Sequence, residues 1–357
     1  MKLYIAGGCG EHGRNCFHVT GESIDFLVDC GLMAAENDNY PRLMPHQIPK
    51  IQTVFLTHSH ADHTGALPWL YENGFCGDVI ASEHTLAQLP LKPKKAVTLE
   101  SVCACGQEGI YRSMKIKWGK SGHCLGSVWY RFEAEGKSIL FSGDYTECSS
   151  VYRVDPIRNQ RADLAVLDCA YGKSTAAYSD ACTELLRMVG RLLEKHMAVV
   201  MPVPKCGRGL DIISLLKSGR ITAQCYADVR LLGQLKNMQN LPQWYYTDAE
   251  SLSESVQPYY KGAGGIVLVS DPQLRSLEAF KTAVEVIKNG GVGLMTGTVD
   301  KGTNSEALIK MGKMLICRYP VHMNYSQYNN LARKNQFAVT IPYHSSEMKC
   351  DKSVFVI

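Results

Sequence analysis

Thr57-His58-Ser59-His60-Ala61-Asp62-His63 places three imidazoles and a carboxylate within six residues, directly after the apolar run Val54-Phe55-Leu56. Neutral imidazole nitrogen and carboxylate oxygen are the ligands that Zn²⁺ takes in open sites, and two such groups a few ångströms apart can hold a pair of ions. The spacing predicts a strand over Thr53–Thr57 and a short helix from Thr64 through Leu70. Side chains in a loop between a strand end and a helix start can converge on one point. Four ligands do not complete a pair of sites, so the rest of the chain must supply the others.

The chain of 357 residues, 45% apolar and 20% charged, is long enough for one large or two medium domains with real cores, and it is not disordered. Lys plus Arg exceed Asp plus Glu by 38 − 34 = 4. With a pI of about 8.3, that balance permits an anionic partner without requiring one. Fourteen cysteines are scattered through a chain that opens Met1-Lys2-Leu3-Tyr4-Ile5 without the apolar core of a signal peptide, so they read as reduced, mostly buried thiols. Cys103-Ala104-Cys105 is spaced wrongly for a zinc ribbon and has no second pair nearby. No apolar run reaches the roughly 18 residues of a membrane span. A cytoplasmic enzyme with no membrane partner is the expectation.

Toward the N-terminus, short apolar runs alternate with turn signals, from Leu3–Ala6 through Phe17–Thr20 to Phe26–Asp29, and read as a β-meander. Asp29 ends the third run and reads first as a turn or cap residue. A polar connector, Ala34 to Pro49, leads to the histidine cluster. Further strands are expected around Val79–Ala81, Ile116–Trp118, Val128–Phe132 and Ser138–Phe141. Between them, Ser121-Gly122-His123-Cys124-Leu125-Gly126-Ser127 sets a histidine among glycines, where the backbone can bend and bring the ring to a metal. Ser142-Gly143-Asp144-Tyr145 sets a carboxylate at a strand end. The isolated His18, His46 and His84 read as ordinary core or surface groups.

Taken together, Thr57–His63, His123, Asp144 and Asp29 resemble the motifs of the metallo-β-lactamase superfamily. Gly7-Gly8-Cys9-Gly10-Glu11-His12-Gly13-Arg14-Asn15-Cys16 looks like the opening of its nucleic-acid-processing branch, the β-CASP nucleases, in the manner of ribonuclease J and the cleavage-and-polyadenylation endonucleases. The second half extends the resemblance. Leu164–Asp168 is a buried-type strand ending in a carboxylate and resembles the acidic β-CASP motif, although Cys169-Ala170-Tyr171-Gly172 replaces the usual Ser-Thr-Tyr-Gly. Helical periodicity over Ser179–His196, an apolar strand over Met197–Val203 and the turn Pro204-Lys205-Cys206-Gly207-Arg208-Gly209 begin an α/β alternation that continues through Val269 and Met295. Asp271-Pro272-Gln273-Leu274-Arg275 stands where the family has a methionine- and glycine-rich turn beside the substrate, which points to a stiffer, more charged loop and an altered nucleotide preference. His322 and His344 resemble the two late histidine motifs, 344 − 322 = 22 residues apart, with a helix over Tyr325–Lys334 and one strand between them.

The resemblance implies an α/β fold: a metallo-β-lactamase αββα sandwich with an inserted α/β β-CASP domain. Residues 1–172 would be the first part of the sandwich, 173–312 the insert and 313–357 the completion. One zinc would take His58, His60 and His123 and the other Asp62, His63 and His344, with Asp144 bridging and Mn²⁺ as the alternative metal. Hydroxide between the ions would attack phosphorus in line, with Asp62 at the reacting centre, and His322, oriented by Asp168, would protonate the leaving ribose oxygen. Asp29 would orient a ligand from behind. Lys205 and Arg208 could line a groove for the phosphate chain or be solvated loop charges.

The leading expectation is a zinc-dependent ribonuclease acting on single-stranded RNA, endo- or 5′→3′ exonucleolytic, leaving a 5′-phosphate. One alternative is a binuclear hydrolase of a small lactone, thioester or cyclic phosphodiester; another is a non-catalytic subunit of an RNA-processing complex. Thirteen residues follow His344, fewer than the C-terminal assembly domain of longer relatives would need. A monomer or compact homodimer, with a protein partner for specificity, is therefore expected.

Overall fold

Strand pairing in the N-terminal region follows the alternation of the sequence. β1 (Lys2–Gly7), β2 (Cys16–Thr20) and β3 (Asp25–Val28) form an antiparallel meander. The chain then adds β4 (Thr53–Phe55), β5 (Asp78–Ala81) and β6 (Ala96–Thr98) in parallel, with crossovers that carry the short helices α1 (Ala61–Thr64), α2 (Leu67–Glu72) and α3 (Glu83–Gln88). After α4 (Leu99–Val102) a second sheet begins. β7 (Glu108–Tyr111), β8 (Met114–Lys120), β9 (Val128–Ala134) and β10 (Lys137–Phe141) are successive antiparallel neighbours, and β11 (Arg161–Asp168) runs parallel to β10. This is a computed structural model, and it describes residues 1–33, 38–246 and 249–357, the side chains of 249 and 250 excepted. Residues 34–37 of the expected polar connector therefore lie outside the described residues.

The next stretch builds a sheet of its own. Helices α5 (Tyr178–Glu194), α6 (Arg208–Ser218), α7 (Val229–Met238), α8 (Ala249–Ser253), α9 (Leu277–Lys288) and α10 (Asn304–Lys310) alternate with β12 (Val199–Pro202), β13 (Cys225–Ala227), β14 (Val256–Pro258), β15 (Ile266–Val269), β16 (Val292–Met295) and β17 (Met314–Ile316). All pairings among these strands are parallel, in the order β14-β13-β15-β12-β16-β17. Fully buried runs such as Ile266-Val267-Leu268-Val269 suit a parallel sheet covered on both faces. The chain then returns through α11 (Tyr325–Arg333) to β18 (Gln336–Tyr343), parallel to β11, and β19 (Val354–Val356), antiparallel to β1.

The chain divides into two compact units, one of Met1–Glu147, Val154–Thr175 and His322–Ile357, the other of Cys148–Arg153 and Ala176–Val321. The sequence-based boundary at 312 fell before β17, which pairs with β16 of the second sheet. In the first unit the two sheets face each other across an aromatic core. Phe26 and Phe55 from the first sheet meet Phe132 at 4.8 and 4.7 Å, and Phe17 meets Phe141 at 5.6 Å between ring centroids. Each such pair is worth about 0.5–1.5 kcal/mol beyond its buried area. Leu67 and Leu70 of α2 cover the outside of the first sheet, and Tyr328 and Leu331 of α11 cover the second, giving the four α/β/β/α layers.

Within the second unit, Cys148–Arg153 is tied down by a fully buried carboxylate. Asp211 on α6 accepts the Ser149 hydroxyl at 2.7 Å, and the Tyr152 hydroxyl donates to the Gly207 carbonyl at 3.0 Å. Burial pushes the Asp211 carboxyl up to about 7, against the hydrogen bonds from Ser149, Ser150 and Val151 and the charge of Arg208. Folded protein therefore keeps this proton where unfolded chain has lost it. Stability from this group is complete below the ordinary carboxylate range and declines by about 4 kcal/mol as pH rises toward 7. Asp211→Asn, which carries no charge to bury, is expected to remove that slope. Urea midpoints at pH 5 and pH 8 check this: the variant should gain on the wild type between them, and parallel changes in both proteins would contradict it.

Candidate metal centre

The histidine cluster sits where the local sequence requires. Strand β4 ends at Phe55, His60 caps the N-terminus of α1, and Asp62 and His63 occupy its single turn. That turn can approach the strand ends because residue 31 is glycine: a Cβ there would lie 1.7 Å from the Asp62 carbonyl oxygen. Gly31→Ala should thus displace α1, costing about 1–3 kcal/mol as overpacking. Its urea midpoint and its metal content should fall together; unchanged values would show that the contact relaxes freely.

His123 enters from the β8–β9 loop, Asp144 follows β10, Asp168 is the last residue of β11, and His344 follows β18. All belong to the first unit. Ligand atoms of His58, His60, His123 and Asp144 lie within 4.8 Å of one another, and so do those of Asp62, His63, Asp144 and His344. Asp144 divides its oxygens between the groups. Its Oδ2 is 3.4 Å from His58 Nε2 and 3.5 Å from His123 Nε2, while Oδ1 is 3.2 Å from both His63 Nε2 and His344 Nδ1. His344 Nε2 reaches Asp62 Oδ2 at 3.0 Å.

The environment asks for cations. Burial pushes the Asp144 carboxyl up, but the imidazoles of His63, His344, His322 and His58 outweigh it and hold the pKa well below the usual range. Asp62 is likewise held low by His63 and His344 against its burial. Burial pushes His58 well down, reinforced by His63, His60 and His123, so its ring is neutral and offers a lone pair. His344 is raised to about 10 because Asp144 and Asp62 outweigh its burial. Buried His58 Nε2 and His344 Nδ1 have no hydrogen-bond partner. Ionised carboxylates, a neutral imidazole and unpartnered ring nitrogens facing the same gap fit divalent metal ions, whose binding would displace the protons on His63 and His344.

Behind these groups lies a supporting layer. Asp29, buried and at φ 60°, accepts the Thr57 N–H at 2.7 Å, the Thr57 hydroxyl at 2.8 Å and His63 Nδ1 at 2.7 Å. Those contacts fix the His63 tautomer and turn Nε2 toward Asp144. Three supporting residues had not been singled out in the sequence. Thr57 also meets His58 Nδ1 at 3.1 Å, Asn15 Nδ2 lies 2.9 Å from His63 Nε2 and 3.1 Å from the Asp62 carbonyl oxygen, and the Tyr343 hydroxyl donates to Asp144 Oδ1 at 3.1 Å.

Asp168 and His322 form a pair on the same site. His322 Nδ1 is 3.1 Å from Asp168 Oδ2 and 3.8 Å from Asp144 Oδ2. The Tyr145 and Ala170 N–H groups donate to the Asp168 oxygens at 3.0 and 2.9 Å, which fixes this carboxylate against His322 Nδ1. Arg208 departs from the expectation of an accessible phosphate contact. It is buried inside the second unit, where Nη1 donates to the Thr296 carbonyl at 3.2 Å; Lys205 is exposed in that unit. No helix among the described residues is long and apolar enough to cross a membrane.

The fold and this donor set have known counterparts. The family model of the metallo-β-lactamase superfamily matches residues 9–193. The chain belongs to that superfamily and, with its relatives, to the β-CASP branch. Transcription termination factor FttA of Methanosarcina mazei is 29% identical over 250 residues, covering 61% of this chain and 39% of the factor. Probable RNase MJ4 of Methanocaldococcus jannaschii is 23% identical over 334 residues, covering 85% and 74%. Ribonuclease TTHA0252 of Thermus thermophilus is 24% identical over 209 residues, covering 53% and 48%. The chain thus spans about two fifths of the length of FttA and about half that of TTHA0252. A solved protein of unknown function from Enterococcus faecalis V583 shares the fold, with a TM-score of 0.60 at 9% identity over 97% of this chain and 94% of that one.

Proposed function

We propose that this chain is a metal-dependent ribonuclease that hydrolyses phosphodiester bonds in single-stranded RNA. The observation that carries the reading is Asp144, whose two oxygens face two separate groups of histidines while His322 and Asp168 stand beside them. His58, His60 and His123 would hold one ion and Asp62, His63 and His344 the other, with Asp144 shared. Imidazole-rich donor sets of this kind suit Zn²⁺, with Mn²⁺ as the alternative. When bound, such ions supply positive charge that polarises phosphoryl oxygen and acidifies water.

The protein's own groups do the rest. Asp62, with a side chain 31% exposed against 1% for Asp144, is the accessible acid and is assigned to take the proton of the attacking water. As the new oxygen–phosphorus bond forms, the bond to the leaving ribose oxygen breaks, and that oxygen needs a proton. His322 is held by Asp168 through Nδ1, which leaves Nε2 to deliver it. A thioester hydrolase, whose thiolate leaves without a proton, would have little use for this second proton carrier. The relatives' names, two of them ribonucleases, support the same substrate class. Fourteen free thiols suit a reducing, cytoplasmic compartment. Of Lys205 and Arg208, Lys205 is the one left exposed for a phosphate contact.

The test is direct. Metal is quantified in the purified protein, which is then incubated with 5′-monophosphate RNA, 5′-triphosphate RNA and matched DNA. The expected result is close to two divalent ions per chain and shortening of RNA but not of DNA. Less than one ion per chain together with intact RNA would sink the proposal and favour a non-catalytic subunit.

A further inference from the structure

The loop Gly8–Arg14 is wound far more tightly than a connection between β1 and β2 needs. Gly8, Gly10, Gly13 and Arg14 all have positive φ, at 91°, 73°, 95° and 41°. The Glu11 carboxylate closes the loop on itself, accepting the Gly8 N–H at 3.1 Å and Arg14 Nε and Nη2 at 2.8 and 2.7 Å. Arg14 is buried and reaches on to the Asp38 carbonyl at 2.6 Å. The loop is also fastened to the metal centre, because the His344 N–H donates to the Gly8 carbonyl at 2.6 Å and Cys9 bridges Ser345. Within this rigid frame one residue alone is exposed, His12, with its ring edge-on to that of His344 at 5.5 Å between centroids.

His12 is not one of the grouped donors around Asp144, which are buried or half-buried. It stands one ring further out, on the solvent side of His344. A polyanion reaching Asp144 from solvent on that side meets this imidazole first, and its N–H is a hydrogen-bond donor that a phosphate oxygen can use. We propose that His12 is a substrate-binding residue that donates a hydrogen bond to a non-bridging oxygen of the phosphate next to the scissile one. The inference rests on the ribonuclease reading and adds to it a fixed contact for the flanking nucleotide. Three glycines that turn the backbone freely and one left-handed Arg14 are then understandable as the means of holding one side chain in place.

A contact to a phosphate that does not react is made equally in ground and transition states, so its loss raises KM and leaves kcat alone. Three variants separate this from a structural role: His12→Phe keeps a ring against His344 but no donor, His12→Gln keeps a donor without the ring, and His12→Ala keeps neither. Each metal-loaded protein is assayed on a short fluorescent single-stranded RNA, and its bound metal is counted. The expected result is full metal in all three, KM raised roughly ten- to a hundredfold in the Phe and Ala proteins, kcat within about twofold, and partial recovery of KM in the Gln protein. A Phe protein with unchanged KM, a kcat loss in place of a KM change, or lost metal in the Phe protein each overturns the inference while leaving the ribonuclease reading intact. Wild-type protein that leaves the RNA uncut overturns both.

Discussion

Asp144→Asn is expected to lower RNA cleavage by at least about 10³-fold and to leave less than one divalent ion per chain. Asparagine fits the same space, so the loss would come from charge and donor chemistry. Asp144 is the one residue common to both ligand groups, with Oδ2 toward His58 and His123 and Oδ1 toward His63 and His344. An amide can present its oxygen to one group only, and its NH₂ then points at imidazole nitrogens that should themselves act as donors to metal. It also removes the negative charge that draws cations into a buried pocket. Inductively coupled plasma analysis beside an RNA assay decides the matter. A variant that kept two ions and cleaved within tenfold of wild type would show that the carboxylate is not shared.

The second large effect is expected at His322. Its replacement by alanine should leave the metal content unchanged, because His58, His60, His123, Asp62, His63, His344 and Asp144 all remain, and should slow RNA cleavage about 10²- to 10⁴-fold, the usual worth of a positioned proton donor. Asp168→Asn should give a smaller loss, and the double variant should be little worse than His322→Ala, since the carboxylate acts through the ring it orients. A nitrophenyl phosphodiester, whose leaving group departs without a proton, provides the sharper measurement. On it the His322→Ala deficit should shrink to within about tenfold; an equal deficit on both substrates would mean that His322 positions RNA and does not deliver a proton.

How much of this was legible in the sequence depends on how each residue earns its place. His58, His60, Asp62 and His63 could be read directly, because no surface loop needs that density of ligands. Asp144, Asp168, His322 and His344 look like ordinary strand-end or loop residues, and only resemblance to a known family picked them out. The roles of Asn15 and Tyr343 gave no signal, since one amide or hydroxyl beside a strand is commonplace and its partner lies far away in the chain: Tyr343 and Asp144 are 199 residues apart. The burial of Arg208, neither groove-lining nor solvated, was illegible for the same reason, as the carbonyl it donates to belongs to Thr296, 88 residues on. Met314-Leu315-Ile316 is too short an apolar run to announce β17 as a strand, so the expected boundary at 312 stops before it. Nor did anything in Cys148–Arg153 announce that it joins the second unit, because its anchor, Asp211, lies on α6.

The return of the chain to the first unit after β17 sets a clock on the candidate metal centre. His58, His60, His123 and Asp144 leave the ribosome early, whereas His322 and His344 follow Asp144 by 178 and 200 residues (322 − 144 and 344 − 144). At synthesis rates of about 5–20 residues per second, the half-made protein waits on the order of ten seconds or longer with one ligand group complete and the other without its closing histidine. It also lacks His322, and β11 has no β18 beside it. On the ribonuclease reading, such a chain cannot act until residues 322 and 344 have been made and have joined the site.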